Sequence, residues 1–266
     1  MQSVQINGAT VWYEVVGQGP DLVLVSGTGG NMHSNWDHLL PQFSKSRRVL
    51  LVDYSGSGKT LDSHPRLTVE ILAEQVLAAA QAAGMERFDL VGYSLGTCVS
   101  MYIAAMYPEK VRSLVLLAGF SDGTDSRNVL QTTLWQELIA RDPALFARMI
   151  VLNGMSPATV ASMTQAQIDA WVQAICQNND WHGIWRQIDL DRRVNVSSLL
   201  KDIKAPTLVI GCLQDQVIPI EHARKLASDI AGATYAELDA GHLAPFEKST
   251  EFGEMVTTFL NKNSPV

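Results

Sequence analysis

The stretch Gly92-Tyr93-Ser94-Leu95-Gly96 places a serine between two glycines, a spacing that can build a nucleophile. It fits G-x-S-x-G. Before it, Phe88-Asp89-Leu90-Val91 reads as a short buried strand. After it, the apolar positions Val99, Ile103, Ala104 and Met106 read as a helix over Thr97 to Tyr107, closed by Pro108. A serine on such a strand-to-helix turn is held in strained backbone geometry, and the glycines let the turn close and other main chain approach. Its hydroxyl stands at the carboxyl edge of the sheet, over a helix N-terminus that favours developing negative charge.

A serine hydroxyl is a weak nucleophile at neutral pH and needs a base, which needs an orienting acid. Of six histidines, His33, His38, His64, His182 and His222 lie in polar or amphipathic surroundings that read as surface. His242 differs. It follows the apolar-rich run Ala233 to Leu238 and precedes a helix beginning near Phe246, on the kind of late strand-exit loop where catalytic groups of open α/β sheets gather. The acid candidate is Asp215, on the exit loop of the β-branched strand Pro206 to Gly211, before a helix from about Glu221 to Ile230. Asp239 is the reserve candidate. The chain order is nucleophile Ser94, acid Asp215, base His242.

With that order the chain resembles the α/β-hydrolase superfamily, in its capped, lipase- and esterase-like branch, over nearly the whole length. The opening hairpin is matched by Asn7-Gly8 with Val11 to Glu14. Leu22 to Gly30 resembles the strand and loop that build the oxyanion hole, and Trp36, Arg48 to Asp53 and Gly56 to Gly58 resemble the next helix, strand and glycine loop. Gly211 to Pro219, and Gly241-His242 with Glu247, Phe252 and Phe259-Leu260, resemble the acid and base segments. The resemblance implies that the N–H groups of Thr28 and Leu95 form the oxyanion hole. One departure stands out: where the family usually has His-Gly, this chain has Ser26-Gly27. Gly58-Lys59-Thr60 imitates the end of a P-loop, but the position of that motif's first glycine holds Asp53, and Leu61 to Pro65 reads as loop where a helix would be needed.

The elements that must position these residues are two-part. Strands near 21–26, 48–53, 88–92 and 111–118 alternate with helices near 35–43, 68–84 and 95–107, which implies a parallel sheet with helices on both faces. From about Ser121 to Val196 the strand pattern stops, and helices read over Asn128 to Ala140, Pro143 to Leu152, Pro157 to Met163, Gln165 to Gln177 and near His182 to Ile188. Strand pattern resumes at Pro206. The expected fold is therefore α/β: by resemblance, an α/β-hydrolase fold with a mostly parallel eight-stranded sheet, a core of residues 1–120 and 197–266, and a helical cap over 121–196.

Four of six tryptophans fall in that insertion, along with several methionines. Aromatic and thioether side chains above a serine suggest an apolar, adaptable pocket. Trp135, Met149, Trp171 and Trp185, with Val217 from the acid loop, are the candidate substrate-binding residues.

Composition excludes several other classes. Hydrophobic residues make up 47% and charged ones 18%, the net charge is -7, and no basic stripe marks a nucleic-acid surface. No run is apolar enough for a membrane span, and the first residues lack a signal-peptide core. Three scattered cysteines, Cys98, Cys176 and Cys212, suggest reduced thiols in a cytoplasmic protein and give no metal spacing. The chemistry needs no cofactor, and no pattern specifies an oligomeric state. The expectation is a serine hydrolase cleaving a carboxylic ester, thioester or lactone of a small apolar acyl substrate through an acyl-enzyme, with the cap setting preference. Two further readings stay open. One is a cofactor-free lyase, acyl transferase or cyclase. The other is a small-ligand sensor, because Asp53 to Gly58 is similar to the corresponding loop of hydrolase-like receptors.

Overall fold

The computed structural model describes residues 1–177 and 179–263 of the 266. Nine strands form one sheet: β1 (Gln2–Ile6), β2 (Ala9–Val16), β3 (Asp21–Val25), β4 (Arg48–Asp53), β5 (Leu61–Asp62), β6 (Phe88–Tyr93), β7 (Val111–Leu117), β8 (Thr207–Cys212) and β9 (Thr234–Leu238). Eight of them run in the order β1-β2-β4-β3-β6-β7-β8-β9. The pairs from β4 to β9 along that path are parallel, while β1 and β2 pair antiparallel. The ninth strand, β5, pairs antiparallel with Ala9 and Thr10 of β2. It lies in the segment expected as loop. Two residues with Leu61 exposed carry no pattern, so tertiary pairing alone makes them a strand.

The expected helix over 35–43 is two short ones, α1 (Met32–Trp36) and α2 (Leu40–Phe43), with Pro41 in the first turn of the second. α3 (Val69–Ala82) is capped by Thr68, and α4 (Leu95–Met106) follows Ser94. Five helices stand between β7 and β8: α5 (Ser126–Arg141), α6 (Pro143–Gly154), α7 (Pro157–Ser162), α8 (Gln165–Gln177) and α9 (Trp181–Asp191). Asp142 ends α5 and caps α6, accepting from Ala144 N–H at 2.9 Å with Pro143 next. After β8 come α10 (Ile220–Asp229), α11 (Ala244–Glu247) and α12 (Ser249–Asn263).

Period-two alternation divides the strand side chains between two core layers. Val23, Val25, Leu50, Val52, Leu114 and Leu116 face one layer. Leu22, Leu24, Val49, Leu51, Val115 and Leu117 face the other. A charge inside this sheet must be paired. Asp89 accepts from Arg47 at 3.0 Å and from Ser113 at 2.8 Å.

The five-helix insertion carries a small core of its own, in which Ala147, Val151 and Val172 are buried with Trp171 and Ile175 packed on them. Its neck is a short antiparallel contact, in which Gly123 N–H donates to Val194 O at 2.9 Å and Val196 N–H to Ser121 O at 2.7 Å.

The order β4-β3-β6 reverses direction at β3. A crevice therefore opens at the carboxyl ends of the adjacent strands β3 and β6, the position where open α/β sheets bind ligands. Thr28 follows β3 and Ser94 follows β6.

Candidate active site

Ser94 adopts φ 53° and ψ −122°, a conformation that is rare outside glycine. Close main-chain packing imposes it. A Cβ at Gly96 would lie 2.4 Å from Val25 O, and a Cβ at Gly92 would lie 2.5 Å from Gly96 O. On the opposite side, a Cβ at Gly27 would meet Ser94 Cβ at 2.9 Å. The side chain stands over the start of α4, where the N–H of Leu95 has no acceptor within the helix.

The structure brings Ser94, His242 and Asp215 into one chain of hydrogen bonds. His242 Nε2 lies 3.0 Å from Ser94 Oγ, and Nδ1 lies 2.7 Å from Asp215 Oδ2. With Nδ1–H donating to the carboxylate, Nε2 is free to accept the serine proton. Asp215 Oδ1 accepts from the N–H groups of Val217 at 2.8 Å and Ile218 at 2.7 Å, so the carboxylate is saturated and fixed. Asp239, the reserve acid, is exposed and accepts from Gln214, away from the imidazole. The His242 loop is anchored from two directions. Tyr93 O–H donates to His242 O at 3.0 Å, and Glu247 accepts from Gly241 N–H at 2.9 Å. Glu247 also accepts from Ser156 N–H and from Thr159 Oγ1, at 3.0 Å and 2.7 Å, which ties this loop to the junction of α6 and α7.

In the loop after β3, Gly27 N–H donates to Asn35 Oδ1 at 3.1 Å, Gly29 N–H to Gln187 Oε1 at 3.0 Å, and Gly30 N–H to Gly27 O at 3.0 Å. Thr28 N–H, between them, takes no acceptor among the described residues. The Ser26-Gly27 departure has a structural role. Ser26 Oγ accepts the Trp36 indole N–H at 3.0 Å and Ser26 O accepts Tyr54 O–H at 2.7 Å, so the loop is braced through buried aromatic side chains. The glycine loop of residues 56–58 is held from Asp53, which accepts from Met32 N–H at 2.8 Å and Lys59 N–H at 3.1 Å.

A cavity of about 310 Å³ opens over Ser94 and His242, at the small end of the usual range for small-molecule sites. Thr28, Trp135, Trp171 and Val217 line it, with Phe146 and Phe246. Trp171 meets Phe246 edge-on at 5.2 Å, and Trp135 meets Phe146 at 5.9 Å. Two expected residues stand elsewhere. Met149 packs against the larger core layer, and Trp185 is 38% exposed. Helix phase explains both: Phe146 and Ile150 of α6 and Ile184 of α9 reach the cavity, and Met149 and Trp185 are each one residue out of step with them. The Leu95 side chain is buried in the core and does not line the cavity. Among the described residues, no group of three or more His, Cys, Asp or Glu side chains could hold a metal ion.

Among the residues of the site that sequence reading missed, two bear on the loop after β3. Gln187 accepts from Gly29 and donates to Ser55 O and Ser57 Oγ at 3.1 and 2.9 Å. Asp191 Oδ2 accepts from Thr28 Oγ1 at 2.7 Å. Together they let α9 grip the loop on both sides of the Thr28–Gly29 peptide. The usable signal was spacing: Ile184, Gln187, Ile188 and Asp191 follow i, i+3, i+4, i+7, which puts two polar residues on the apolar stripe of a helix. Burial pushes the Asp191 carboxyl up to about 7, against the lowering effects of the Thr28 hydroxyl and the His242 charge.

Residues 20–249 match the alpha/beta hydrolase fold family. A pyrrolizixenacetamide deacetylase from Xenorhabdus hominickii is 42% identical over 260 residues, covering 98% of this chain and 98% of the relative. A 2-hydroxy-6-oxo-2,4-heptadienoate hydrolase from Pseudomonas putida is 28% identical, covering 92% of this chain and 90% of the relative. The solved structure of a hydrolase from Pseudomonas aeruginosa is 26% identical with a TM-score of 0.85, covering 97% of both chains.

The raised Asp191 carboxyl predicts a pH-dependent cost to folding. Between the unfolded value near 4 and about 7 the unfolded chain loses this proton while the folded chain keeps it, so stability falls as pH rises through that window. Asp191→Asn lacks this loss. Its stability relative to wild type should grow with pH up to about 7 and then level, with a ceiling of about 4 kcal/mol from roughly three pKa units. Urea unfolding of both proteins from pH 5 to pH 8 checks this. A difference that stays constant over that range would mean the carboxyl titrates like an ordinary surface acid.

Proposed function

The chain belongs to the alpha/beta hydrolase fold family, and we propose that it is a serine hydrolase that cleaves an acyl bond of a small, largely apolar substrate through an acyl-enzyme. The observation that carries this reading is the continuous path Asp215–His242–Ser94, with its serine end open to an apolar cavity. Ser94 Oγ attacks the substrate carbonyl as His242 Nε2 takes its proton, and Asp215 stabilises the resulting imidazolium. The carbonyl oxygen becomes an oxyanion facing the N–H groups of Thr28 and Leu95, where one such donor is worth on the order of 3 kcal/mol of barrier. His242 returns the proton to the leaving group. Water, activated by the same imidazole, then releases the acid and regenerates Ser94.

The relatives named above support hydrolysis as the reaction class, and the deacetylase, as the relative of higher identity, favours a short acyl group. The helical insertion acts as a cap. Trp135 and Trp171 from the insertion, with Val217 from the acid loop, form the apolar wall that sizes the substrate, and the cap's α9 sets the position of Thr28. Carboxylic ester, thioester and lactone are all compatible with this chemistry, and no cofactor enters it.

Ser94→Ala and His242→Ala should each lower kcat on an activated acetyl ester by several orders of magnitude with the fold intact, because triad members act as a unit. Asp215→Asn should be severely impaired and Asp239→Asn nearly silent. Steady-state rates with circular dichroism of each variant decide this, and retention of more than about a tenth of the activity by Ser94→Ala would reject the nucleophile. A wild-type chain that binds such esters but completes only a few cycles would point instead to the sensor reading.

Cavity lining makes a separate prediction. Trp171→Ala should shift the preference between a short and a long activated ester by tens- to hundreds-fold, as several methylenes of space at 1–3 kcal/mol each allow. Trp185→Ala, on the exposed face, should leave that preference unchanged. Equal losses on both esters for Trp171→Ala, in step with its melting temperature, would make that tryptophan purely structural.

A further inference from the structure

One wall of the apolar cavity is an acid. Asp191 is 5% exposed and lines the same space as Ser94 and His242. Its Oδ2 accepts from Thr28 Oγ1, whereas Oδ1 is buried with no hydrogen-bond partner among the described residues. The other buried aspartates have both oxygens occupied. Asp53 holds Met32 and Lys59 N–H, Asp89 holds Ser113 and Arg47, and Asp215 holds His242 with Val217 and Ile218 N–H. Asp191 forms no ion pair among the described residues. Its main chain is fixed as well, since Asn128 Nδ2 donates to Asp191 O at 3.1 Å and to Gly123 O at 2.8 Å. A buried carboxyl with an empty acceptor position is costly unless something supplies the missing donor.

The location of the carboxyl narrows what that donor is. Thr28 touches Asp191 through its side chain, and its main-chain N–H is the group assigned above to the substrate's carbonyl oxygen. A carbonyl held there shares the cavity wall with the carboxyl, and a partial turn about Cβ–Cγ, away from the present Thr28 geometry, brings the unpartnered oxygen toward the atoms bonded to its carbon. An ester places an oxygen without hydrogen at that position, and an amide places an N–H. The difference sharpens during reaction: as the amide nitrogen turns its lone pair toward the proton on His242, its N–H turns away and needs an acceptor.

We propose that Asp191 accepts a hydrogen bond from the N–H of the scissile amide, so that this cavity selects acylated amines over the corresponding esters. The proposal rests on the acyl-hydrolase reading and assigns a recognition role within it. Asp191 does not exchange a proton or form a bond in the reaction.

The test uses a matched pair, acetanilide and phenyl acetate, which differ at the scissile position by N–H against O. The ratio of kcat/KM for amide to ester should fall ten- to a hundredfold in Asp191→Asn, the usual range for losing one hydrogen bond to a charged group. A role confined to bracing Thr28 would lower both rates together and leave the ratio unchanged, which would overturn the proposal.

Wild-type protein gives a second reading that needs no variant to fold. His242 acts on the carboxyl by its charge and Thr28 by its neutral hydroxyl, while Tyr54 and Cys98, the other titratable groups that feel Asp191, are pushed well up by burial and stay neutral. The amide-to-ester ratio should then rise with pH to about 7 and level off, because only the ionised carboxylate leaves an oxygen free to accept. A flat ratio, or one falling with pH, overturns the proposal, the second because it would make Asp191 a donor.

Binding separates recognition from chemistry. Ser94→Ala should bind acetanilide about tenfold more tightly than phenyl acetate by calorimetry, and adding Asp191→Asn should erase that difference. If wild type turns over neither probe, the hydrolase reading fails by itself, and the two affinities still decide the role of Asp191.

Discussion

Main chain passes against main chain around Ser94, and the rest of the site depends on that contact. Val25 O and Ser26 O lie where a side chain at position 96 would begin, and the turn of residues 92–96 folds back on itself with Gly96 O against Gly92. Three segments therefore meet with no side chains between them. This closeness sets the serine at positive φ. It is possible because β3 and β6 are adjacent at the reversal of strand order, so the two loops leave the sheet side by side. The imidazole and its acid arrive from β9 and β8, the next parallel strands beyond β7.

The helical insertion belongs to this arrangement as much as the sheet does. Residues of α9 hold both sides of the Thr28–Gly29 peptide, and the loop carrying His242 is tied through Glu247 to the end of α6. In a cavity built mainly from indole and phenyl rings, an acid with one unpaired oxygen weakens the fold. Asp53, Asp89 and Asp215 have donors on both oxygens, and Asp191 alone among the buried aspartates described leaves one oxygen without a partner.

Most of the architecture could be read from the chain because its strands are buried on both faces. Runs such as Leu22 to Val25 and Leu114 to Leu117 leave no reading but a covered parallel strand, and the punctuation by Gly and Pro fixed their exits. Ser94 was picked out for the same reason, since it sits directly after the buried run Phe88–Tyr93, and Asp215 lies on the loop leaving the buried β8, whereas His242 was read from its place on the exit loop of β9, a half-buried strand. Other features depend on tertiary contacts that no local pattern carries. Leu61–Asp62 is a strand only because β2 passes beside it. Asp191 and Gln187 lie in Arg186-Gln187-Ile188-Asp189-Leu190-Asp191-Arg192-Arg193, a stretch charged enough to read as a solvated helix face. Only the helix phase separates Asp191, inside, from Asp189, which pairs with Arg192 and Arg193 near the surface. Phase also decides among the aromatic residues, and a count of tryptophans per segment cannot register it.

The carboxylate of Glu247 has a consequence for how such proteins diverge. By joining Gly241 to Ser156 and Thr159, it makes the loop of the base and the roof of the pocket one mechanical unit. A lineage that exchanges its roof for one of different shape must also carry over an acceptor at position 247 and a matching turn at 156, or the imidazole loses its alignment with the serine. The insertion is therefore not a detachable module. On the mechanism proposed above, new specificities should arise in it by replacing single side chains along the cavity wall, whereas wholesale grafting of a foreign roof onto this sheet would inherit a misaligned imidazole.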